Sequence, residues 1–182
     1  MKRAIALPLA MFISATGLSA VSARAADEPR HTFECDTPAG HFAYWERTVS
    51  GAEIEVSGKV TVNDLLTDKK WSPTIFVSLK AGSTKKGPFG LRVFAVMKTP
   101  EYLFLELLKV GGRDPIGLGM IPRTKEPVPF ALRLDASGLL TVTVAGVDAS
   151  TPLGDFKPEM LQLSCSTGDF EFTDVTVKEK SP

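Results

Sequence analysis

The sequence predicts an all-β protein, an antiparallel two-sheet β-sandwich with its first and last strands adjacent. Three observations predict it. Apolar and polar residues alternate along most of the chain, turn residues recur at short intervals, and the only two cysteines, Cys35 and Cys165, stand near opposite ends. Alternation buries one face of a strand and wets the other. Many short strands at regular spacing are the pattern of a sandwich or barrel.

The chain begins with a segment that is not part of that pattern. Met1-Lys2-Arg3 is basic, Ala4–Val21 carries no charge, and Ala23-x-Ala25 suits signal peptidase. Residues 1–25 are therefore read as a signal peptide and 26–182 as one β-sandwich domain. Pro8 and Gly17 make the apolar stretch a poor permanent anchor, so no membrane span is expected after cleavage. Removing Lys2, Arg3 and Arg24 leaves 18 basic against 21 acidic residues. A net negative chain without clustered Lys/Arg is a poor nucleic-acid binder. The expected location is periplasmic or secreted.

Alternation is cleanest from Glu53 to Val62. Further strands are expected at Thr74–Lys80, Leu91–Lys98, Phe130–Asp135, Leu139–Ala145, Met160–Cys165 and Asp169–Lys178. Turn residues separate them at Ala81-Gly82-Ser83, Lys86-Gly87-Pro88, Val110-Gly111-Gly112, Asp135-Ala136-Ser137-Gly138 and Ser166-Thr167-Gly168. Tyr102–Val110 competes between helix and strand, because Thr99-Pro100-Glu101 resembles a helix start. Its nearly continuous large apolar residues leave no polar helical face, so a hairpin with Leu91–Lys98 is preferred, turning at Lys98–Glu101. In the expected register Met97 faces Tyr102. One face then holds Arg92, Phe94, Val96, Leu103, Leu105 and Leu107, and the other Val93, Ala95, Met97, Tyr102, Phe104 and Glu106. The second face, with a carboxylate and a phenol, fits a groove better than a dry core.

In an exported chain Cys35 and Cys165 are expected to form a disulfide. A bridge requires Cα atoms within about 7 Å, which makes the first and last strands neighbours. Closing so long a loop restricts the unfolded chain by about 5 kcal/mol in the entropic model. No Cys-x-x-Cys is present, and two isolated histidines, His31 and His41, do not make a zinc site.

The last third adds a resemblance. Ala131–Asp135, then Ser137–Val144, then Leu161–Gly168 leading into Asp169–Val177, resembles the closing strands of the concanavalin A-like lectin/glucanase jelly roll, including laminin-G-like modules. The resemblance implies two curved antiparallel sheets and a last strand near the first. It does not imply one function, because the superfamily holds lectins, glycoside hydrolases, polysaccharide lyases and adhesion modules.

Catalytic patterns are incomplete. Retaining glucanases of this superfamily carry Glu-x-Asp-x-Glu on one strand. Here Glu53 and Glu55 are flanked by Gly51 and Ser57, and Asp169 and Glu171 by Thr167 and Thr173. A lyase would pair a Tyr or His base with an Arg or Gln. Tyr102 with Arg92 or Arg113 is one such combination, and Gln162 is the only glutamine. No Gly-x-Ser-x-Gly elbow and no phosphate-cradling loop occur. No catalytic residue is assigned. No cofactor is expected, and calcium would have only scattered acids such as Asp64, Asp68 and Asp114.

Binding is easier to support. Trp45 and Trp71 are the only tryptophans, and an aromatic ring matches the apolar face of a sugar. Trp45 lies in the run Phe42-Ala43-Tyr44-Trp45, where core packing competes with binding. Trp71 lies in a charged loop. Tyr102 and Glu106 on the hairpin face, with Arg113 and Asp114 in the loop beyond, complete the candidate ligand-binding set. The expected function is that of an exported non-catalytic module for a carbohydrate or similar polar ligand. The alternatives are a glycan-active hydrolase or lyase, and a cell-envelope protein-interaction or adhesion module with a protein partner or a homodimer.

Overall fold

A computed structural model describes residues 29–82, 88–109 and 114–180. The expected signal peptide, Lys86 and Gly87 of the Lys86-Gly87-Pro88 turn, the Val110-Gly111-Gly112 turn and Arg113 lie outside the described residues. Ten strands run in chain order: β1 His31–Thr48, β2 Glu53–Leu65, β3 Thr74–Lys80, β4 Phe89–Ala95, β5 Tyr102–Lys109, β6 Ile116–Pro122, β7 Val128–Leu134, β8 Leu139–Val144, β9 Val147–Pro152 and β10 Met160–Lys180. No helix occurs among the described residues.

All pairings are antiparallel, and the strands form one continuous sheet in the order β6-β5-β4-β3-β10-β2-β7-β8-β9, with β1 paired to β10. β10 is the hub. Its residues 160–166 pair with β3 and its residues 168–180 with β2, while β1 runs beside both stretches. At the far ends of this path β6 approaches β9, and β4 approaches β8, so the sheet nearly closes on itself.

The expected turn at Ser166-Thr167-Gly168 is instead a kink inside β10. Thr167 takes a left-handed φ of 59°, and β1 answers with a register shift between Thr37 and Phe42 that contains Gly40 at φ 76°. Polar side chains hold the two irregularities together. The Thr37 hydroxyl donates to the Gly168 carbonyl at 3.1 Å, and the Gly40 amide donates to Thr167 Oγ1 at 3.3 Å. The local residues correctly signal a chain bend. Pairing with β1 on one side, and with β3 and then β2 on the other, keeps it within a strand.

The Cys35–Cys165 disulfide bridges β1 and β10 across this kink, with Cα atoms 6.0 Å apart and both cysteines buried. Inner-facing aliphatic residues of both halves of the sheet form the core. Val77, Leu79, Leu91, Leu105 and Leu163 come from one half, and Ile54, Val56, Leu132, Leu140 and Val142 from the other. Phe172 is fully buried between Phe33 at 5.8 Å and Phe130 at 6.3 Å. The β7–β8 turn follows its sequence signal. Asp135 Oδ1 accepts from the Ser137 and Leu139 amides at 2.9 and 3.0 Å, and Gly138 supplies the φ of 79° that the turn requires.

Tyr102–Lys109 is a strand hairpinned to β4, but its register differs from expectation. Arg92 faces Glu106, Phe94 faces Phe104 and Ala95 faces Leu103. Two consecutive tight turns, Thr99 N to Val96 O and Tyr102 N to Thr99 O, make the loop one residue longer in parity than the expected turn. A one-residue slip moves every side chain of one strand to the other face. Val93 and Ala95 therefore join Leu103, Leu105 and Leu107 in the core, while Arg92 and Phe94 join Tyr102, Phe104 and Glu106 outside.

Candidate functional site

Opposed residues of an antiparallel sheet project to the same side. Pairing across β1, β10, β3, β4 and β5 therefore lays rows of side chains over the outer face. The first row is Phe42, Ser166, Thr74, Phe94 and Phe104, continued by Met120 on β6. The second is Tyr44, Ser164, Phe76, Arg92 and Glu106. The third is Glu46, Gln162, Ser78 and Gly90, ending at Leu108. Six strands at about 4.8 Å spacing make the first row about 24 Å long.

The composition changes along each row. On β1, Phe42 and Tyr44 are 65% and 53% exposed and stack at 6.1 Å. On β10 and β3 the first row carries only the small hydroxyls Ser166 and Thr74, and Ser164 sits between Tyr44 and Phe76. On β4 and β5, Phe94 and Phe104 stack at 5.4 Å, and the Arg92 guanidinium lies 4.2 Å above Phe94 and 5.9 Å from Phe76. Two aromatic ridges thus flank a strip of short hydroxyl side chains that are themselves buried.

Charges on this face are matched. Arg92 Nη1 is 3.3 Å from Glu106 Oε2. Glu46 Oε1 accepts from Gln162 Nε2 at 2.7 Å and from Lys80 Nζ at 3.2 Å. The buried Ser78 Oγ and Arg92 Nε have no hydrogen-bond partner. Trp71 borders the first row. The Ser72 carbonyl beside it accepts from Thr74 Oγ1 at 2.8 Å and from Ser166 Oγ at 3.4 Å. Asp68 Oδ1 fixes the same loop by accepting from the Lys70 and Trp71 amides at 2.7 and 2.9 Å, and these bonds lower its carboxyl pKa. Trp71 is 54% exposed and, with Gly40 and residues 67–70, lines an open depression of about 600 Å³.

Of the residues expected from sequence, Glu106 and Tyr102 lie on this face and Trp71 at its border. Asp114 is exposed just before β6, and Arg113 lies outside the described residues. Trp45 has the opposite parity. It is half-buried, packs against the core and faces His31 at 5.4 Å. Its neighbours Phe42 and Tyr44 are the exposed rings, and i, i+2 alternation through β1 is the signal that separates them from Trp45. Phe76, Phe94 and Gln162 enter only through strand pairing.

Among the described residues the Glu53–Glu55 and tyrosine–Arg92 combinations are not assembled, and Arg113, the other partner considered for Tyr102, lies outside the described residues. Glu53 and Glu55 pair with Lys180 and Lys178 at 3.0 and 3.6 Å on the other half of the sheet. Tyr44 stands three strands from Arg92, about 14 Å, and Tyr102 stands four residues along β5 from the position opposite Arg92, about 13 Å. Neither tyrosine shares one sugar ring's reach with the arginine. Among the described residues no group of three or more His, Cys, Asp and Glu is placed to hold a metal ion, and no helix is long and apolar enough to cross a membrane.

No protein-family model matches this chain, and no curated protein matches it by sequence. Its shape matches solved structures. An alginate lyase of Pseudomonas aeruginosa superposes with a TM-score of 0.53 at 16% identity, over 70% of this chain and 65% of the lyase. The carbohydrate-binding module CBM66 of Bacillus subtilis gives 0.52 at 10% identity, over 82% of this chain and 95% of the module. The CBM2 module of the evolved Dit of Lactobacillus casei BL23 phage J-1 gives 0.56 at 10% identity, over 78% and 72%. The chain thus has the fold of concanavalin A-like lectin/glucanase jelly-roll proteins. It spans about two thirds of the lyase's length.

Proposed function

We propose that this chain is an exported, non-catalytic carbohydrate-binding module acting in the periplasm or outside the cell. Its ligand face is the outer surface of β1, β10, β3, β4 and β5. In this reading the continuous sheet folds at the β1/β10 kink into the two layers of a jelly roll, with that face on one of them. The observation that carries the proposal is the pair of aromatic ridges flanking the hydroxyl strip. Exposed rings are costly to leave in water, and they offer stacking planes. Gln162 and the Arg92–Glu106 pair, which are only partly buried, offer donors and acceptors for sugar hydroxyls. The disulfide and the carbohydrate-binding neighbours support export and glycan binding. The separation of the tyrosines from Arg92 argues against lyase chemistry.

The test is a thermal-shift and pull-down panel of residues 26–182 against polysaccharides. A bound ligand raises the midpoint by mass action. We expect one sugar class to bind, and Phe42→Ala with Tyr44→Ala to abolish binding without lowering the unliganded midpoint. A flat panel with a dimer that buries Phe42 and Tyr44 would replace this reading with protein interaction. Release of unsaturated or reducing-end products would replace it with an enzyme.

A further inference from the structure

We propose that the ligand is an uncharged, extended oligosaccharide lying across the strands, from Phe42 and Tyr44 on β1 to Phe104 and Glu106 on β5. This rests on the glycan-binding reading and adds the charge, length and direction of the ligand.

Charge follows from pairing. A polyanionic glycan binds through cations that lack their own counter-charge. Among the described residues the cations in the rows of this face are Arg92 and Lys80. Each is already matched by a carboxylate on the same face, Glu106 at 3.3 Å and Glu46 at 3.2 Å. A uronate placed beside Arg92 would also meet Glu106, and repulsion between like charges would cancel much of the gain. Neutral sugar hydroxyls meet no such conflict. They can donate to Glu46 and Glu106 and accept from Gln162 and Arg92 at once.

Length and direction follow from where the rings stand. Phe42 and Phe94 share one row but are separated by β10 and β3, about 14 Å. Between them stand only Ser166 and Thr74, small and buried with their hydroxyls donated to the Ser72 carbonyl, so they form a floor between the ridges and supply no ring. A single ring cannot touch both ridges. A chain bridging them must cross the strands and pass over this floor. The exposure of Phe42 and Tyr44 is then explained together with the aromatic cluster on β4 and β5, as two ends of one site.

Titration calorimetry on residues 26–182 tests this with neutral ladders of cello-, laminari- and malto-oligosaccharides, from disaccharide to hexasaccharide, against oligomannuronates of the same lengths. Affinity should rise steeply along one neutral ladder, change little with salt, and stay absent for the uronates. For the hexasaccharide, Phe42→Ala at one end and Phe104→Leu at the other should each weaken binding by about five- to tenfold. For the disaccharide, at most one of them should matter. The midpoint of thermal unfolding checks that each variant is folded. Salt-sensitive binding of the oligomannuronates would overturn the charge assignment while leaving a glycan-binding face intact. Affinity already complete at the disaccharide would overturn the length. No binding to any ladder member or polysaccharide would instead remove the glycan reading itself.

Discussion

The two halves of the sheet have nearly the same inner face and opposite outer faces. Inside, both present Val, Leu and Ile. Outside, the β2–β7–β8–β9 half carries Glu55, Arg133, Thr141 and Ser150 in one row, with Lys178 of β10 at its end. Its side chains satisfy one another: Ser57 with Thr176 at 2.9 Å, Thr141 with Ser150 at 2.8 Å, Lys59 with Asp174 at 2.9 Å. No aromatic ring stands in it. The β1–β10–β3–β4–β5 half carries Phe42, Tyr44, Phe76, Phe94 and Phe104 in the equivalent positions. A solvated outer face suffices for the fold on one half, and the exposed rings on the other are the difference on which the binding proposal rests. Function is best sought where two structurally equivalent surfaces differ.

The inside of the molecule is shared by both halves. Reducing the Cys35–Cys165 bridge, or replacing both cysteines by Ser, should cost about 2–5 kcal/mol, because the bridge closes 130 residues and staples the kink shared by both halves. Denaturant unfolding with and without reductant measures it. Phe172→Ala should cost about 3–5 kcal/mol, since the ring is fully buried between Phe33 and Phe130. Both changes should act on the whole molecule.

Outer-face substitutions should separate the halves. Phe42→Ala with Tyr44→Ala should move stability by no more than about 0.5 kcal/mol and still remove glycan retention in affinity electrophoresis. Glu55→Gln on the other face should have an equally small effect on stability and none on retention. A loss of retention with Glu55→Gln alone would mean the wrong face has been chosen.

The smallest expected effect is acid sensitivity. Asp68 is lowered by the Lys70 and Trp71 amides, Asp135 by the Ser137 hydroxyl and the Leu139 amide, and Asp174 by its hydrogen bond from Lys59 and that lysine's charge. Each folded value lies below the unfolded one. The folded state therefore binds fewer protons, and the stability these groups add is present above about pH 4 and lost as pH falls through the lowered values. All three are exposed, so the change should be shallow. The Asp174 share should shrink further in salt. Unfolding midpoints from pH 6 to pH 2 at low and high salt would show it.

Much of the fold was legible because alternation is a local signal. β3 is read at its observed bounds, and β2, β7 and β8 within a few residues. β1 is placed only through Cys35, without bounds, and β6 and β9 are missed. Ile-Gly-Leu-Gly-Met in β6 alternates with glycine and Val-Asp-Ala-Ser-Thr in β9 with small polar residues, compositions of low strand propensity that gain their order from neighbours. The kink at Thr167 shows the reverse, a true local bend that tertiary pairing absorbs. The site was only half legible. Tyr102 and Glu106 could be grouped from one hairpin, but a single-residue difference in its loop exchanged Val93 and Ala95 for Arg92 and Phe94. Phe42, Ser166 and Thr74 lie far apart in the chain. Their row exists only once β10 is placed between β1 and β3, which no spacing within the sequence encodes.

An amide chemical-shift titration of labelled residues 26–182 with cellohexaose, laminarihexaose and maltohexaose in turn would locate the ligand face. If the aromatic face binds the glycan, one of them shifts Phe42, Tyr44, Ser164, Phe76, Arg92, Phe94 and Phe104 together and leaves Glu55, Arg133 and Thr141 unmoved. Shifts confined to Glu55, Arg133 and Thr141, or to the roughly 400 Å³ cavity lined by Ser137, Gly138, Gly154 and Phe156, would contradict it.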